Sequence, residues 1–166
     1  MRKEDSWKDL KFQVASLEKK KKKEGVVKGD RVVAYMPNMP ETVIMMLATS
    51  SIGAIFSSAS PDFGVDGVLD RFGQIEPKIL LTTDGYWYNG KEVNITNKVT
   101  DVAKSLPSLQ RVIIVPLLGI KTEHNIEKFI NYTAIQEKYT TNKILFEPLR
   151  LDDPLYIMFS SGTTGK

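Results

Sequence analysis

Short apolar segments rich in β-forming residues alternate along this chain with segments of helical periodicity. An apolar segment at residues 31–36 is followed by a helical one at 42–52 and by a second apolar one at 54–56. Further apolar segments lie at 79–82 and 112–115. Strands that alternate with helices are typical of a parallel sheet wrapped by helices. We therefore predict an α/β fold in which helices flank a parallel sheet.

The helices are delimited by N-caps and by stripes of apolar residues. We predict Ser6, Asn38 and Asp66 as the N-caps of three helices. The apolar stripe of the first helix consists of Trp7, Leu10, Val14 and Leu17. Five consecutive lysines, residues 19–23, then break this stripe at residue 21. We interpret them as a solvated helix end that opposes the helix dipole, with a nucleic-acid or acidic-lipid patch as the alternative.

Turn residues mark the connections between these elements. Residues 57–64 are predicted to form a turn-rich connection, and Asn89-Gly90 is a strong β-hairpin signal. A short helix is predicted at 133–138, within a stretch of weak periodicity. Residues 156–159 are expected to begin a further strand, and an uncovered edge there is expected to promote self-association.

Composition excludes several kinds of site. The chain has no cysteine, which excludes disulfides and thiolate metal sites. Its single histidine, His124, lies in a polar loop and is expected to be solvated, so histidine-based catalysis is not predicted. The net charge of +3 is concentrated in the lysine run, and we predict no nucleic-acid partner. A charged start without an apolar segment predicts a cytoplasmic protein, and the uncharged stretch around Gly53 indicates core elements instead of a membrane span.

The last apolar segment runs into a loop made of glycine and hydroxyl residues. The loop consists of Ser160, Ser161, Gly162, Thr163, Thr164 and Gly165. Glycines let backbone N–H groups approach an anion, and hydroxyls add further donors, so the composition suits phosphate binding, with an ordinary surface turn as the alternative that composition alone favours. The loop is not a Walker A motif, because Ser160 stands where that motif requires glycine.

Two sets of residues carry a family resemblance. The loop from Ser160 to Gly165, with Asp152-Asp153-Pro154-Leu155 before it, resembles the signature loop of the adenylate-forming superfamily of acyl-CoA synthetases. Residues 56–65, 68–72 and 88–91 resemble the acetoacetyl-CoA synthetase branch of that superfamily. The resemblance implies that residues 1–166 form part of the N-terminal portion of the family's large domain, ending within the phosphate-binding loop.

The resemblance also implies a two-step ligase that uses ATP, Mg²⁺ and CoA. Loop residues 160–165 would hold the ATP phosphates, and Lys166 would fill the variable position after the loop. Lys91 is implied as a CoA contact, with a solvated hairpin lysine as the alternative. We expect no catalytic or metal-binding residue in this part of the family, and therefore no turnover by this part alone.

The substrate implied by the resemblance is acetoacetate. An acetyl- or propionyl-CoA synthetase and a non-enzymatic remnant that binds a nucleotide or a partner stay open as alternatives, and so does the oligomeric state.

Overall fold

The computed structural model describes residues 6–120 and 127–160. Five strands form one sheet in the order β2-β1-β3-β6-β7, and two more form a separate hairpin. The strands are β1 (Arg31–Tyr35), β2 (Ile55–Ala59), β3 (Ile79–Thr83), β4 (Gly85–Tyr88), β5 (Lys91–Asn94), β6 (Arg111–Val115) and β7 (Phe129–Asn131). The helices are α1 (Trp7–Lys23), α2 (Pro40–Ser50), α3 (Val65–Ile75), α4 (Thr96–Ser105) and α5 (Tyr132–Lys138).

Every pair of neighbouring strands in the five-stranded sheet is parallel, which confirms the predicted fold class. The interior strand β1 pairs with β2 and β3, so that Val33 lies beside both Ser57 and Leu80. Because strands buried on both faces carry apolar side chains on both, the runs in β1, β3 and β6 are almost uninterrupted.

Helices cover both faces of this sheet. The core on one face joins α1, α2 and α5 to the side chains of Val32, Ala34 and Leu81. The core on the opposite face joins α3 and α4 to Val33 and Leu80. The alternation of neighbouring strand residues between the two cores is the period of two that a strand imposes on its side chains. None of the described helices is long and apolar enough to cross a membrane.

The helix starts differ in part from the sequence prediction. Ser6 caps α1 as predicted, in a capping box where the Ser6 hydroxyl accepts from the Asp9 N–H and the Asp9 side chain accepts from the Ser6 N–H. The prediction of Asn38 is wrong, because α2 begins at Pro40 and its N-cap is Met39. Proline suits the first helical turn, where its missing N–H leaves no bond unmade. The prediction of Asp66 is also wrong, because the N-cap of α3 is Gly64 and Asp66 lies in the first turn, one residue inside the helix.

The strand β2 is longer than predicted. Residues 57–59, expected in a turn, extend β2 beside β1, with Ala59 in register with Tyr35. Parallel pairing satisfies backbone groups that a serine-rich turn would otherwise direct to solvent. The hairpin prediction is confirmed, since Asn89 and Gly90 have φ angles of 48° and 75° between antiparallel β4 and β5. Strand β7, which precedes the predicted short helix α5, was not predicted.

The lysine run does not form a fully solvated helix end. Lys20 and Lys21 are buried, whereas Lys19, Lys22 and Lys23 are exposed. Residue 21 continues the helical spacing of Val14 and Leu17, so the packing of α1 against α2 buries its side chain. At the other end of the stripe, Trp7 is 87% exposed, so the predicted stripe packs only from Leu10 onward. His124 lies outside the described residues.

Candidate functional site at the carboxyl edge of the sheet

The strand order reverses at β1. The connection from β1 to β2 runs through α2 on one face of the sheet, and the connection from β2 to β3 runs through α3 on the other. Helices that depart to opposite faces leave a crevice at the carboxyl ends of the strands between them, and open parallel sheets bind their ligands there. The carboxyl ends of β1 and β3 are therefore the first place to look for a site.

The loop at residues 60–64 lies at this edge and is fixed by two tyrosines. The hydroxyl of Tyr35, the last residue of β1, donates to the carbonyl oxygens of Pro61 and Phe63 at 3.1 and 2.5 Å. The hydroxyl of Tyr86, just beyond β3, donates to the Asp62 carboxylate at 2.6 Å. Anchors at the end of β1 and at the start of β4 hold the loop at the carboxyl edge of the sheet.

The ionisation of these groups follows from their bonds. Burial, with the nearby Asp62 charge, raises the pKa of Tyr35 to about 12. The hydrogen bond to Asp62 raises the pKa of Tyr86 to about 12, because the bond would be lost on ionisation of the phenol. Hydrogen bonds from Tyr86 and Ser60 lower the pKa of Asp62. Near neutral pH the loop is therefore held by two neutral phenol donors, one of them on a charged carboxylate.

The segment that leads to the Ser/Gly/Thr loop runs beside β2. The Phe56 N–H donates to the Leu155 carbonyl at 3.1 Å, and the Ile157 N–H donates to the Phe56 carbonyl at 2.9 Å. The Ser57 hydroxyl donates to the Ile157 carbonyl at 2.7 Å. Residues 56 and 156 form a single parallel bridge, so the strand predicted at 156–159 is reduced to this contact.

The direction of this segment is the informative feature. A parallel bridge means that residues 155–157 run toward the carboxyl edge, as β2 does. Ser160, the last described residue of the predicted phosphate loop, is exposed. The other loop residues, Ser161, Gly162, Thr163, Thr164 and Gly165, lie outside the described residues.

Lys91 lies on the hairpin and not in the crevice. It is exposed at the start of β5 and pairs across the hairpin with Tyr88, which is 65% exposed. The base of the hairpin contacts the loop of the crevice through the bond from Tyr86 to Asp62. The structure thus places Lys91 at the exposed end of the hairpin, away from the Tyr86–Asp62 bond at its base.

Sequence reasoning missed Asp84, a buried carboxylate at the end of β3. Its oxygens accept from the N–H groups of Leu117, Leu118 and Ile120 at 2.9, 3.0 and 2.8 Å. Asp84 also lines a cavity of about 220 Å³ that Asn131 borders. These three hydrogen bonds fix the backbone that follows β6. The only local signal for this role in the sequence is that an aspartate follows the apolar run of β3. Among residues 6–120 and 127–160 there is no cluster of three metal-ligating side chains.

Comparisons with known proteins agree on one family. The model of the AMP-binding enzyme family matches residues 6–166. The acetoacetyl-coenzyme A synthetase of Rhizobium meliloti is 48% identical over 162 residues, which are 96% of this chain and 25% of the relative. The acetoacetyl-CoA synthetase of Mus musculus is 45% identical over 166 residues, again 96% of this chain and 25% of the relative.

A solved structure gives the same result for the fold. The acetoacetyl-CoA synthetase from Streptomyces lividans superposes with a TM-score of 0.88 at 39% identity, covering 95% of this chain and 24% of that one. The chain thus spans about a quarter of the length of the relatives it matches.

Proposed function

The chain belongs to the AMP-binding enzyme family, and from this premise we propose that it supplies the phosphate-holding edge of an acid–CoA ligase. The proposed reaction joins acetoacetate to CoA through an acyl-adenylate, converting ATP to AMP and pyrophosphate. The names of the relatives at 48% and 45% identity support acetoacetate as the acid.

One observation of the structure carries this proposal. The segment at residues 155–157 is bound beside β2 in parallel orientation and so runs toward the carboxyl edge of the sheet, where we propose that the loop of residues 160–165 acts. The loop at 60–64, fixed by Tyr35 and Tyr86, lies at the same edge. Ligand chemistry in open parallel sheets takes place at that edge, and the sequence at 160–165 has the composition of a phosphate-holding loop.

The donor set of the loop fits the chemical task. A carboxylate must approach the α-phosphate of ATP, and the two anions repel each other. In the proposal, the N–H groups of residues 162–165 and the hydroxyls of Ser161, Thr163 and Thr164 hold the terminal phosphates and reduce that repulsion. Bound Mg²⁺ supplies further neutralisation of phosphate charge.

Lys91 takes a separate role in the proposal. Its amine is exposed on the arm formed by β4 and β5, beside the exposed ring of Tyr88. A cation on a projecting hairpin is suited to a phosphate of CoA, which reaches the site only after the adenylate has formed. The resemblance implies no catalytic residue in this part of the family, so we propose that the chain alone does not turn over.

A chimera tests the proposal. Residues 1–166 would replace the matching quarter of the Streptomyces lividans acetoacetyl-CoA synthetase, to which they are 39% identical. We expect acetoacetate-dependent AMP formation by the chimera and none by the chain alone. Replacing both loop threonines, Thr163→Val with Thr164→Val, should raise the KM for ATP about a hundredfold or more, since each lost hydrogen bond to a charged group costs about 1.5–3 kcal/mol and two are lost.

The matched control replaces Thr140 and Thr141, which lie near α1 away from the carboxyl edge, by valine. An equal change of the ATP KM in both double variants would show that the loop does not bind the ATP phosphates. Acetate or propionate used as well as acetoacetate would transfer the proposal to the alternative acyl-CoA synthetases.

The role of Lys91 has its own readout. In the chimera, Lys91→Ala should raise the KM for CoA about fivefold, the effect of losing one exposed charge contact near 1 kcal/mol. ATP–pyrophosphate exchange should stay unchanged, because the adenylate forms before CoA acts. An unchanged KM for CoA would leave Lys91 as a solvated hairpin lysine.

A further inference from the structure

A basic surface with protruding apolar side chains lies on α1, away from the carboxyl edge of the sheet. An extended segment at residues 140–146 crosses the outer side of α1 and leaves a groove on each side. One groove, of about 390 Å³, is lined by Lys19, Lys22, Lys23 and Lys143. We call the region the lysine–aromatic surface and define it by Lys11, Lys19, Lys23, Lys143, Leu145 and Phe146.

The positive charge of this surface is not neutralised by the described residues. Glu18 is the carboxylate that lines the groove, and it is buried. It is already engaged by the Lys22 amine at 2.7 Å and by the Leu145 N–H at 3.3 Å. Within the described ranges, 6–120 and 127–160, no ion pair holds the amines of Lys19, Lys23 or Lys143.

Apolar side chains protrude among these amines. Phe146 is 75% exposed and borders a groove with Lys11 and Lys143, and Leu145 is 53% exposed beside Lys19. Trp7, one helical turn before Lys11, is 87% exposed as well. Transfer of these apolar side chains out of water would be favourable, and negatively charged groups would stabilise the surrounding amines.

An anionic bilayer offers both an apolar interior for the exposed apolar side chains and negative charge for the amines. Amphipathic surfaces that bind bilayers combine lysines at the headgroup level with aromatic and aliphatic side chains that enter the acyl boundary. Negative headgroups attract each nearby lysine, so several act together. A nucleic acid would answer the amines and could stack on a ring, but it offers nothing to the aliphatic Leu145.

We propose that the lysine–aromatic surface binds the anionic phospholipid headgroups of a bilayer, with Phe146 and Leu145 inserted at the boundary. The surface lies on α1 and on the segment that crosses it, so the proposal does not depend on the acid–CoA ligase activity. Binding of this kind holds the protein at the bilayer surface without any membrane-spanning helix.

Flotation with vesicles tests the proposal. The 166-residue chain would be mixed with phosphatidylcholine vesicles, with or without about 30% phosphatidylserine, in about 0.1 M salt. We expect binding to the anionic vesicles only. The double variant Lys19→Gln with Lys23→Gln should lower the partition coefficient about 25-fold, at about fivefold per lysine.

Two matched controls give the test its specificity. Lys98→Gln with Lys104→Gln removes the same charge from α4 and should leave the partition coefficient within about twofold. Phe146→Ser should lower it about tenfold, whereas Tyr88→Ser, at a 65% exposed ring on the hairpin, should not. Circular dichroism and urea unfolding should be unchanged in all variants, because the substituted side chains lie largely at the surface.

Equal losses from the two double lysine variants would overturn the proposal, since net charge alone would then explain the binding. It would also be overturned by a chain that ignores anionic vesicles and binds a single-stranded RNA of about 20 nucleotides with a steep salt dependence.

Discussion

The two faces of the sheet are covered by helices of very different composition. On the face of α3 and α4, the buried helical side chains are all apolar, with Phe72 and Val102 among them. On the opposite face, α1 brings the charged Glu18 and Lys21 into burial, and α2 adds Thr49. The helices thus bury only apolar side chains on one side of the sheet, whereas on the other side they add buried polar and charged groups to an apolar core.

The difference arises in part because the apolar stripe of α1 is interrupted by a lysine. Lys21 continues the spacing of Val14 and Leu17, and its amine reaches the Thr49 hydroxyl at 2.8 Å and the Met45 carbonyl at 3.5 Å. Both partners are neutral. Burial lowers the pKa of Lys21 well below its usual range, and the Glu18 charge opposes this only in part. Helix α1 is therefore docked by its other contacts in spite of this residue.

The largest expected effect tests the apolar face. Phe72→Ala should reduce the free energy of unfolding by about 3–5 kcal/mol, because the fully buried ring leaves a cavity between α3 and the sheet. Urea denaturation would measure it. Asp70→Ala, at an exposed position of the same helix, should change the value by no more than about 0.5 kcal/mol. A loss below about 1 kcal/mol for Phe72→Ala would mean that this face is loosely packed.

The next effect has the opposite sign and tests the polar face. Lys21→Met should raise the free energy of unfolding by about 1–4 kcal/mol, the range seen when buried ionic groups give way to apolar ones. Thr49 stays satisfied, because its hydroxyl donates to the Met45 carbonyl at 2.7 Å. The exposed Lys19→Met is the control and should be nearly neutral. A destabilised Lys21→Met variant would show that the amine is a net support of the core.

The pH dependence of that gain sharpens the comparison. In the unfolded chain Lys21 titrates near 10.5, and in the folded protein its pKa is lowered. Between the two values the unfolded state binds more protons, so the stability of the unsubstituted chain rises with pH. The advantage of Lys21→Met should therefore shrink from neutral pH toward about pH 10.5. Urea denaturation of both proteins across this range would measure the difference in their free energies of unfolding. A difference independent of pH would show that the Lys21 pKa is not lowered in the folded protein.

The smallest effect concerns the phenols on the apolar face. Tyr86 has a pKa of about 12, raised first by its hydrogen bond to Asp62. Asp62→Asn removes the carboxylate charge and should lower that pKa toward its ordinary value of 10.0. Ultraviolet titration would follow the phenolate, and Tyr86→Phe would identify its absorbance. An unchanged Tyr86 pKa in the Asp62→Asn variant would show that the Asp62 carboxylate does not interact with Tyr86.

Much of the fold could be predicted because its signals are local. The apolar runs of β1, β3 and β6 and the turn at Asn89-Gly90 are visible in short windows of sequence. The extension of β2 was hidden, since residues 57–59 have turn composition and become a strand only by pairing with β1. The burial of Lys21 was hidden for a similar reason, because tertiary packing overrides the polarity of a side chain.

The candidate site divides in the same way. The sequence of residues 160–165 is a local signal, and the phosphate prediction for it comes from its resemblance to a family's signature loop. The link from Tyr35 and Tyr86 to the loop at 60–64 joins three distant segments and leaves no mark in any one of them. Sequence alone could therefore suggest what the edge binds but not how its neighbouring loop is held.

The bond between Ser57 and Ile157 joins residues that are 100 positions apart. Every strand of the five-stranded sheet precedes residue 155 in the chain, so a growing polypeptide contains the whole sheet before it contains this segment. Closing so long a loop costs little more entropy than closing one of half the length. During synthesis the edge of β2 can thus be in place first, and the segment that carries the Ser/Gly/Thr loop then docks onto a surface already built.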